Sequence, residues 1–340
     1  MAGYALNQCA LFKVGSKAKL ASVLLLKQRD LVDLSEDGQY RQFRLEASVC
    51  EFTGKRTKAR DVAEPKKALK RVHQRIGDLL SRVLLVEYAH AAVKGRSYRT
   101  NAAAHQHGDE IATFDIENFY PSTTHAHVYH FFFREMKCAA DVAHLLARLL
   151  CFRATPEALG CLPTGSPASP IMSVYANKPL FDALHRLAQE LGLVFTCYVD
   201  DLTFSGPQIP PSLGRRVDSI VAAHAQRLHA SKSRVFRKGK PKHVTGVVIA
   251  DGKLAVPDAR FFKARRVEQR LVAETDPGER ARLSRILCGL LGEAAYLDNK
   301  YANWAKDSYR KLAAETRLAV VTAAGTIAFA ATRADPPTGA

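Results

Sequence analysis

Three acidic residues stand where acids are costly. Asp115 follows the apolar run Ile111-Ala112-Thr113-Phe114, and the doublet Asp200-Asp201 interrupts two apolar segments, 193–198 and 202–205. A carboxylate in such a setting must be paired, hydrogen-bonded or bound to a cation. A single aspartate at a hairpin tip has a structural use, because its side chain bonds its own backbone. An adjacent pair is different. Two like charges at one turn repel, and a divalent cation relieves the repulsion while using both groups as hard oxygen ligands. Three carboxylates on two neighbouring strands can hold two Mg²⁺ ions about 3.5–4 Å apart, with Mn²⁺ as a substitute. Such a pair activates an attacking 3′-oxygen and stabilises a leaving pyrophosphate.

The elements needed to position these groups are present. Residues 111–116 read as a buried strand, and 193–198 with 202–205 read as two strands joined at Val199-Asp200-Asp201. Residues 124–150 read as helices, 161–170 as a Pro/Gly/Ser turn, and the chain from there to about 191 as one helix. A helix near 211–230 precedes a strand over 244–249, a hairpin at Asp251-Gly252 and a short strand over 254–256. A further helix is expected from about Pro65, with Leu69, Val72, Ile76, Leu79 and Leu80 at helical spacing. From Pro257 onward the pattern is mainly helical. Strands and helices in this order predict an α+β fold: an antiparallel sheet covered by helices, with an all-helical C-terminal part.

The charge points to a polyanionic partner. Among 340 residues, 50 Lys+Arg face 33 Asp+Glu, a net charge of +17, which favours nucleic acid first and anionic membrane second. Residues 54–75 hold nine Lys/Arg against two acids, and 232–242 hold six with no acid, as a phosphate track requires. With 47% hydrophobic and 24% charged residues the chain is neither disordered nor collagen-like. Its seven cysteines include no C-x-x-C pair, so neither a disulfide framework nor a zinc ribbon is indicated, and the 12 histidines form no recognisable metal site. The N-terminus lacks the apolar core of a secretory leader, and no run reaches the 18 apolar residues of a membrane span. The nearest, 318–332, reads as a packed helix or tail. A soluble cytoplasmic protein with no membrane partner is the expectation.

Three motifs carry a family resemblance. FDIENFYPS at 114–122, LPTGSPASP at 162–170 and YVDD followed by LTFSG at 198–206 resemble, in order, the first catalytic motif, the template and nucleotide loop, and the paired-aspartate hairpin of reverse transcriptases. Asn101-Ala102-x-x-His105 and Val244-Thr245-Gly246 resemble marks of the bacterial retron subfamily, and 288–304 resembles its thumb. The resemblance covers roughly 54–304.

It implies a role for each matching residue. Asp115, Asp200 and Asp201 would be the catalytic, metal-binding triad, with the Ile116 carbonyl beside them. Tyr120 would be the gate that stacks on the sugar and excludes a 2′-hydroxyl. Tyr198 and Val199 would meet the primer end, and Gly165 would let the backbone approach the nascent base pair. Arg60, near Lys55 and Lys58, would grip the triphosphate, and Lys232 would protonate the departing pyrophosphate. Asn101, His105, Val244, Thr245 and Gly246 would belong to the primer and template region, with His105 either bonding template RNA or locking the Asn101 loop. Thr164 replaces the family's usual Gln and removes a long amide near the nucleotide. Tyr296, Tyr301 and Trp304 are stacking candidates that core packing would also explain.

The resemblance further implies a right hand: N-terminal extension and fingers over 1–108, palm over 109–256 with a fingers insertion at 123–160, and helical thumb with tail over 257–340. It implies copying of a structured non-coding RNA with deoxynucleoside triphosphates, from a guanosine 2′-hydroxyl, into a branched RNA–DNA product. It also implies an RNA–DNA hybrid, an effector protein and a part in anti-phage defence. A group II intron-like or diversity-generating reverse transcriptase is the alternative within enzymes. An inactive RNA-binding scaffold is the alternative outside them.

Overall fold

The apolar run ahead of Asp115 becomes an inner strand of a four-stranded antiparallel sheet. The computed structural model describes residues 3–155 and 157–314 and separates into two compact units, Met1–Ser48 with Thr57–Lys253, and Val49–Arg56 with the described part of Leu254–Ala340. In chain order the first unit begins with α1 (Lys17–Leu24), α2 (Gln28–Asp33) and β1 (Tyr40–Leu45), and the short strands β2 (Ser48–Val49) and β3 (Arg56–Thr57) mark the boundary. Then follow β4 (Arg60–Pro65), α3 (Lys67–Leu80), α4 (Tyr98–Ala103), β5 (Glu110–Asp115), α5 (Phe119–Ser122), α6 (His125–His130) and α7 (Ala140–Leu150). Next come α8 (Ser169–Ala176), α9 (Lys178–Glu190), β6 (Val194–Tyr198), β7 (Asp201–Gly206), α10 (Leu213–Ala223), β8 (Arg234–Phe236), β9 (Lys242–Val244) and β10 (Val247–Ala250). The strand β11 (Lys253–Ala255) leads into α11 (Asp258–Ala273) and α12 (Pro277–Leu297).

The sheet has the order β6-β7-β5-β8, every neighbour antiparallel. Phe114, Phe195 and Phe204 project from it into a core closed by Phe181, Leu184 and Val217 of α9 and α10. A buried phenylalanine contributes roughly 1.5–3 kcal/mol, so this layer anchors the strands that carry the acids. A second core joins the N-terminal helices to the apolar stripe of α3, where Leu69, Val72, Ile76, Leu79 and Leu80 are all buried.

Several expectations shift in detail. Pro65 ends β4, and the helix starts at Lys67. The single helix expected after residue 170 is two, because Asn177 breaks it, and the helix expected over 211–230 stops at Ala223. The strand expected over 244–249 is a hairpin, since Thr245 (φ 45°) and Gly246 (φ 77°) adopt left-handed backbone and turn the chain between β9 and β10. The hairpin of β1 with β4 and the edge strand β8 lie in charge-rich sequence that hides their periodicity. The run 318–332 lies outside the described residues. No helix among the described residues is long and apolar enough to cross a membrane.

The second unit includes a segment its sequence position does not suggest. Phe52, from the 49–56 turn, is 7% exposed in a cluster with Val267, Leu283 and Leu287 of α11 and α12. Its carbonyl accepts a bond from Arg266, and Glu51 is clasped by Arg270 and Arg282, each at 2.8 Å. Phe52→Ala is therefore expected to destabilise this helical unit by about 3–5 kcal/mol, read as faster amide exchange in α11 and α12.

Candidate active site

Register brings the acids together. Asp115 pairs with Asp201 across β5 and β7, and Asp201 pairs with Tyr198 across β6 and β7. The intervening turn is tight enough to force Val199 to φ 57°, a costly conformation for a β-branched residue. It persists because its surroundings fix it. The Ile116 N–H donates to the Asp200 carbonyl at 3.0 Å, the His229 N–H to the Asp115 carbonyl at 2.8 Å, and the Glu117 N–H to the Arg227 carbonyl at 2.8 Å. Segment 226–229 thus braces the first acid while the first acid's strand braces the second pair. Ile116 itself is buried, with 1% exposure.

The electrostatics are those of crowded carboxylates. Burial first, then the charges of Asp200 and Asp115, push the Asp201 carboxyl up to about 7. Burial chiefly also raises Asp200, with Asp115 adding to it. Lys232 answers part of this charge: its Nζ donates to both oxygens of Asp115 at 2.8 and 2.9 Å. That bond raises the lysine's own pKa. No three His, Cys, Asp or Glu side chains among the described residues are grouped closely enough to hold a metal ion as they stand. The donors nevertheless fit a hard divalent cation, being oxygens only, short of countercharge, and already drawing an ammonium group.

Tyr120 flanks this cluster. Burial and the charge of Asp200 push its hydroxyl up to about 12. Its short helix α5 is held from behind by a buried relay. Ser122 Oγ donates to Gln226, Gln226 Nε2 donates to Asn177 Oδ1 at 3.1 Å, and Asn177 Nδ2 donates to Thr123 Oγ1 at 2.9 Å.

The turn at 162–170 is fixed as firmly. A Cβ at Gly165 would lie 2.8 Å from the Ala63 carbonyl, whose oxygen accepts the Gly165 N–H at 3.0 Å. The close approach that requires glycine is therefore to β4, where the sequence suggested a base pair. Thr164 Oγ1 reaches the Asp61 carbonyl at 3.4 Å. Ser166 is tied to His73, which is fully buried, through Nδ1 at 2.6 Å, and the other ring nitrogen meets the Leu149 carbonyl at 2.7 Å. That carbonyl fixes the tautomer: Nε2 donates to it, so Nδ1 accepts from the serine. Burial holds His73 down at about 4, so the ring is neutral.

The two subfamily marks meet in space. Asn101 Nδ2 donates to Thr245 Oγ1 at 3.3 Å, and that hydroxyl donates to the Tyr98 carbonyl at 3.1 Å. Asn101 is fully buried, and Val244 and Gly246 flank the contact within the β9–β10 hairpin. His105 is buried too, bonded to Ser205 Oγ and Thr196 Oγ1, both at 2.7 Å. Of its two readings, this geometry supports the locking one, because no ring nitrogen is left for RNA. The ring clamps β6 to β7, the strands that carry Tyr198 and Asp201 and flank the turn at Asp200.

Arg60 lies exposed at the start of β4, paired in register with Leu45. In the second unit Trp304 donates to Glu268 at 2.9 Å beneath the Arg265 guanidinium, a packing role, whereas Tyr296 is 46% exposed. Tyr301 packs against the Phe261 ring. Sequence reasoning missed His73, Asn177 and Gln226. His73 carried a signal, since it falls on the buried stripe of α3 between Leu69, Val72 and Ile76.

Paired antiparallel strands ending in three crowded carboxylates, with a half-buried tyrosine beside them, are an arrangement suited to nucleotidyl transfer. No family model matches the chain. It is similar to several retron reverse transcriptases, which are RNA-directed DNA polymerases. Retron Mx162 reverse transcriptase of Myxococcus xanthus is 34% identical over 227 residues, 59% of this chain and 46% of the relative. Retron Se72 reverse transcriptase of Salmonella heidelberg is 29% identical over 266 residues, 74% and 66% respectively. Retron Ec86 reverse transcriptase of Escherichia coli is 23% identical over 285 residues, 83% and 80%. The chain thus spans about half of the Mx162 protein and most of the Ec86 protein.

Two measurements test the site's physics. Asp201 takes up its proton near pH 7 when folded and near 3.8 when unfolded, so between these values the folded state binds more protons and stability falls as pH rises. Asp201→Asn is expected to stabilise the metal-free protein by about 1–2 kcal/mol at pH 8, and the gain should vanish near pH 4 in denaturant titrations. His73→Phe puts a larger ring into a filled site, removes the acceptor of the Ser166 hydroxyl and leaves the Leu149 carbonyl with the Tyr40 hydroxyl, at 3.1 Å, in place of two donors. It should cost about 2–3 kcal/mol, whereas His73→Gln should recover part of the loss in the same titrations.

Proposed function

We propose that the chain is an RNA-directed DNA polymerase of a retron. The observation that carries the reading is the register of Asp115 against Asp201 at the end of two locked strands, with Tyr120 beside them. On this reading the β6-β7-β5-β8 sheet with its helices is the palm, the β1–β4 hairpin and α3 belong to the fingers, and α11 with α12 form the thumb. Asp115, Asp200 and Asp201, with the Ile116 carbonyl, would hold Mg²⁺. When bound, the ions would lower the pKa of the primer hydroxyl and neutralise charge building on the pyrophosphate.

The chain's own residues supply the rest. Tyr120, held by the Ser122–Gln226–Asn177 relay, presents a fixed surface to the sugar and excludes a 2′-hydroxyl. Lys232 retains its proton while it bridges Asp115, so donation to a leaving pyrophosphate requires that bridge to open. Arg60 and the basic runs attract triphosphate and template, and most of the rate gain comes from positioning and charge stabilisation. The template is a structured non-coding RNA, primed from a guanosine 2′-hydroxyl to give a branched RNA–DNA molecule. The enzyme works in the cytoplasm beside an effector protein in defence against phage.

Sequencing of the nucleic acid that copurifies with the chain, expressed from its native locus, tests this reading. Wild type is expected to carry a short DNA joined to one discrete RNA, and Asp200→Asn to carry the RNA alone. RNA without DNA in both preparations would favour an inactive scaffold. Heterogeneous unjoined cDNA would indicate a reverse transcriptase of another group.

A further inference from the structure

The turn at 162–170 has an outer and an inner face. Thr164 and Pro167 are exposed and Gly165 is half-buried, whereas Ser166, Ala168 and Ser169 are buried. The outer face borders a groove of about 460 Å³ that Arg44, Asp61 and Pro121 also line. Pro121 follows Tyr120 in α5, so the groove adjoins the helix whose tyrosine stands beside the acids.

The inner face is where the turn is held. Ser169 Oγ donates to the Pro163 carbonyl at 2.7 Å, and the Ala168 N–H donates to Ser166 Oγ at 3.0 Å, which closes the turn on itself. Its Gly165 N–H and Thr164 Oγ1 stitch it to the Ala63 and Asp61 carbonyls of β4, the strand that begins with Arg60. The anchor from elsewhere in the fold is His73, which accepts from Ser166 Oγ at 2.6 Å and donates to the Leu149 carbonyl at 2.7 Å. Tyr40 of β1 donates to the same carbonyl at 3.1 Å. The imidazole therefore stands where α3, α7 and the turn meet.

Packing does not call for a histidine there. Position 73 is fully buried beside the apolar stripe of α3. A hydrocarbon side chain would fill that space without the cost of desolvating two ring nitrogens. What the imidazole adds is direction. One nitrogen is fixed by a carbonyl at the end of α7, and the other then fixes the Ser166 hydroxyl, so a displaced turn breaks a buried bond.

We propose that His73 is a positioning residue for the incoming nucleotide. Through Ser166 it holds the 162–170 turn, and the strand β4 stitched to it, in the arrangement that binds a deoxynucleoside triphosphate. The inference rests on the polymerase reading and on the turn as its nucleotide loop. A turn released from His73 populates other positions, and apparent affinity falls by the fraction that stays competent, while the rate from the filled site is kept. Loss of folded protein does the reverse, lowering the amount of product at unchanged affinity.

Single-turnover extension of a primer annealed to an RNA template, by the full chain, measures both quantities as the complementary deoxynucleoside triphosphate is varied. Ser166→Ala removes the hydroxyl that His73 fixes and should weaken nucleotide Kd about tenfold, with the maximal rate within about twofold of wild type. Two replacements of the ring separate its ends. His73→Asn puts an oxygen near the Nδ1 position and keeps an acceptor for Ser166, whereas His73→Gln reaches the Leu149 carbonyl and loses that acceptor. Affinity should stay within about threefold of wild type in the first and fall about tenfold in the second. Each replacement keeps one bond and loses the other, so destabilisation alone would not set this order.

An unchanged nucleotide Kd in Ser166→Ala, or equal Kd values in the two His73 variants, would overturn the proposal. So would a maximal rate that falls while affinity is kept. Each of these sinks the role of His73 alone, because wild type still extends the primer. Wild type that extends no primer sinks the polymerase reading and this inference with it.

Discussion

Holding three carboxylates at one end of two paired strands is the constraint to which the first unit is built. Their mutual repulsion acts in partly buried surroundings, where charges are poorly screened, and it adds to the larger effect of burial in lifting Asp201 to about 7. A flexible loop would relieve it by moving apart. Here the backbone prevents that, because the acids' positions follow from antiparallel register and from three cross-segment bonds at Ile116, Glu117 and His229. The left-handed Val199 belongs to the same arrangement. The protein is less stable for keeping its acids together, and on the proposed reading the benefit is the binding of a cation.

The bracing behind the site is polar, buried and uncharged. His73 ties the 162–170 turn to α3 and α7, His105 ties β6 to β7, and the Ser122–Gln226–Asn177 relay ties α5 to the helix junction at Asn177. Apolar packing alone fixes volume but tolerates sliding. A buried hydrogen bond tolerates less, since a small displacement strands both partners at about 1–3 kcal/mol each. Burial keeps His73 and His105 at about 4 and 3, so neither acquires a charge that would undo the lock near neutral pH.

Much of this was legible in the sequence, for physical reasons. The strands at 110–115, 194–198 and 201–206 announce themselves because their central residues are buried on both faces and carry no charge between the acids at their ends. The stripe of α3 was legible through its 3.6-residue period. What escaped was structure whose cause lies far away in the chain. The β1–β4 hairpin is held by cross-strand partners and Arg–acid pairs, not by an apolar period. The break at Thr245-Gly246 is a backbone conformation that a threonine does not advertise. Gly165 was read as glycine for a ligand's sake, but the crowding comes from the Ala63 carbonyl. His105 was recognisable as special, whereas its role depended on Thr196 and Ser205, about a hundred residues on.

The surplus of basic residues completes the argument about what the surface is for. Many cations do pair with acids, as in Lys70 with Glu64, Arg237 with Glu110 and Lys238 with Asp109. Exposed pairs of this kind are worth about 0–1 kcal/mol, and they do not change a net charge of +17. That excess repels itself and opposes compaction, so it is no device for stability. A polyanion that releases its counterions on binding turns the same charge into affinity, at a strength that falls steeply with salt. The carboxylates and the basic surface are therefore two halves of one electrostatic design. On the proposed reading, the concentrated negative charge is the place for a cation, and the basic runs at 54–75 and 232–242 supply the attraction for nucleic acid.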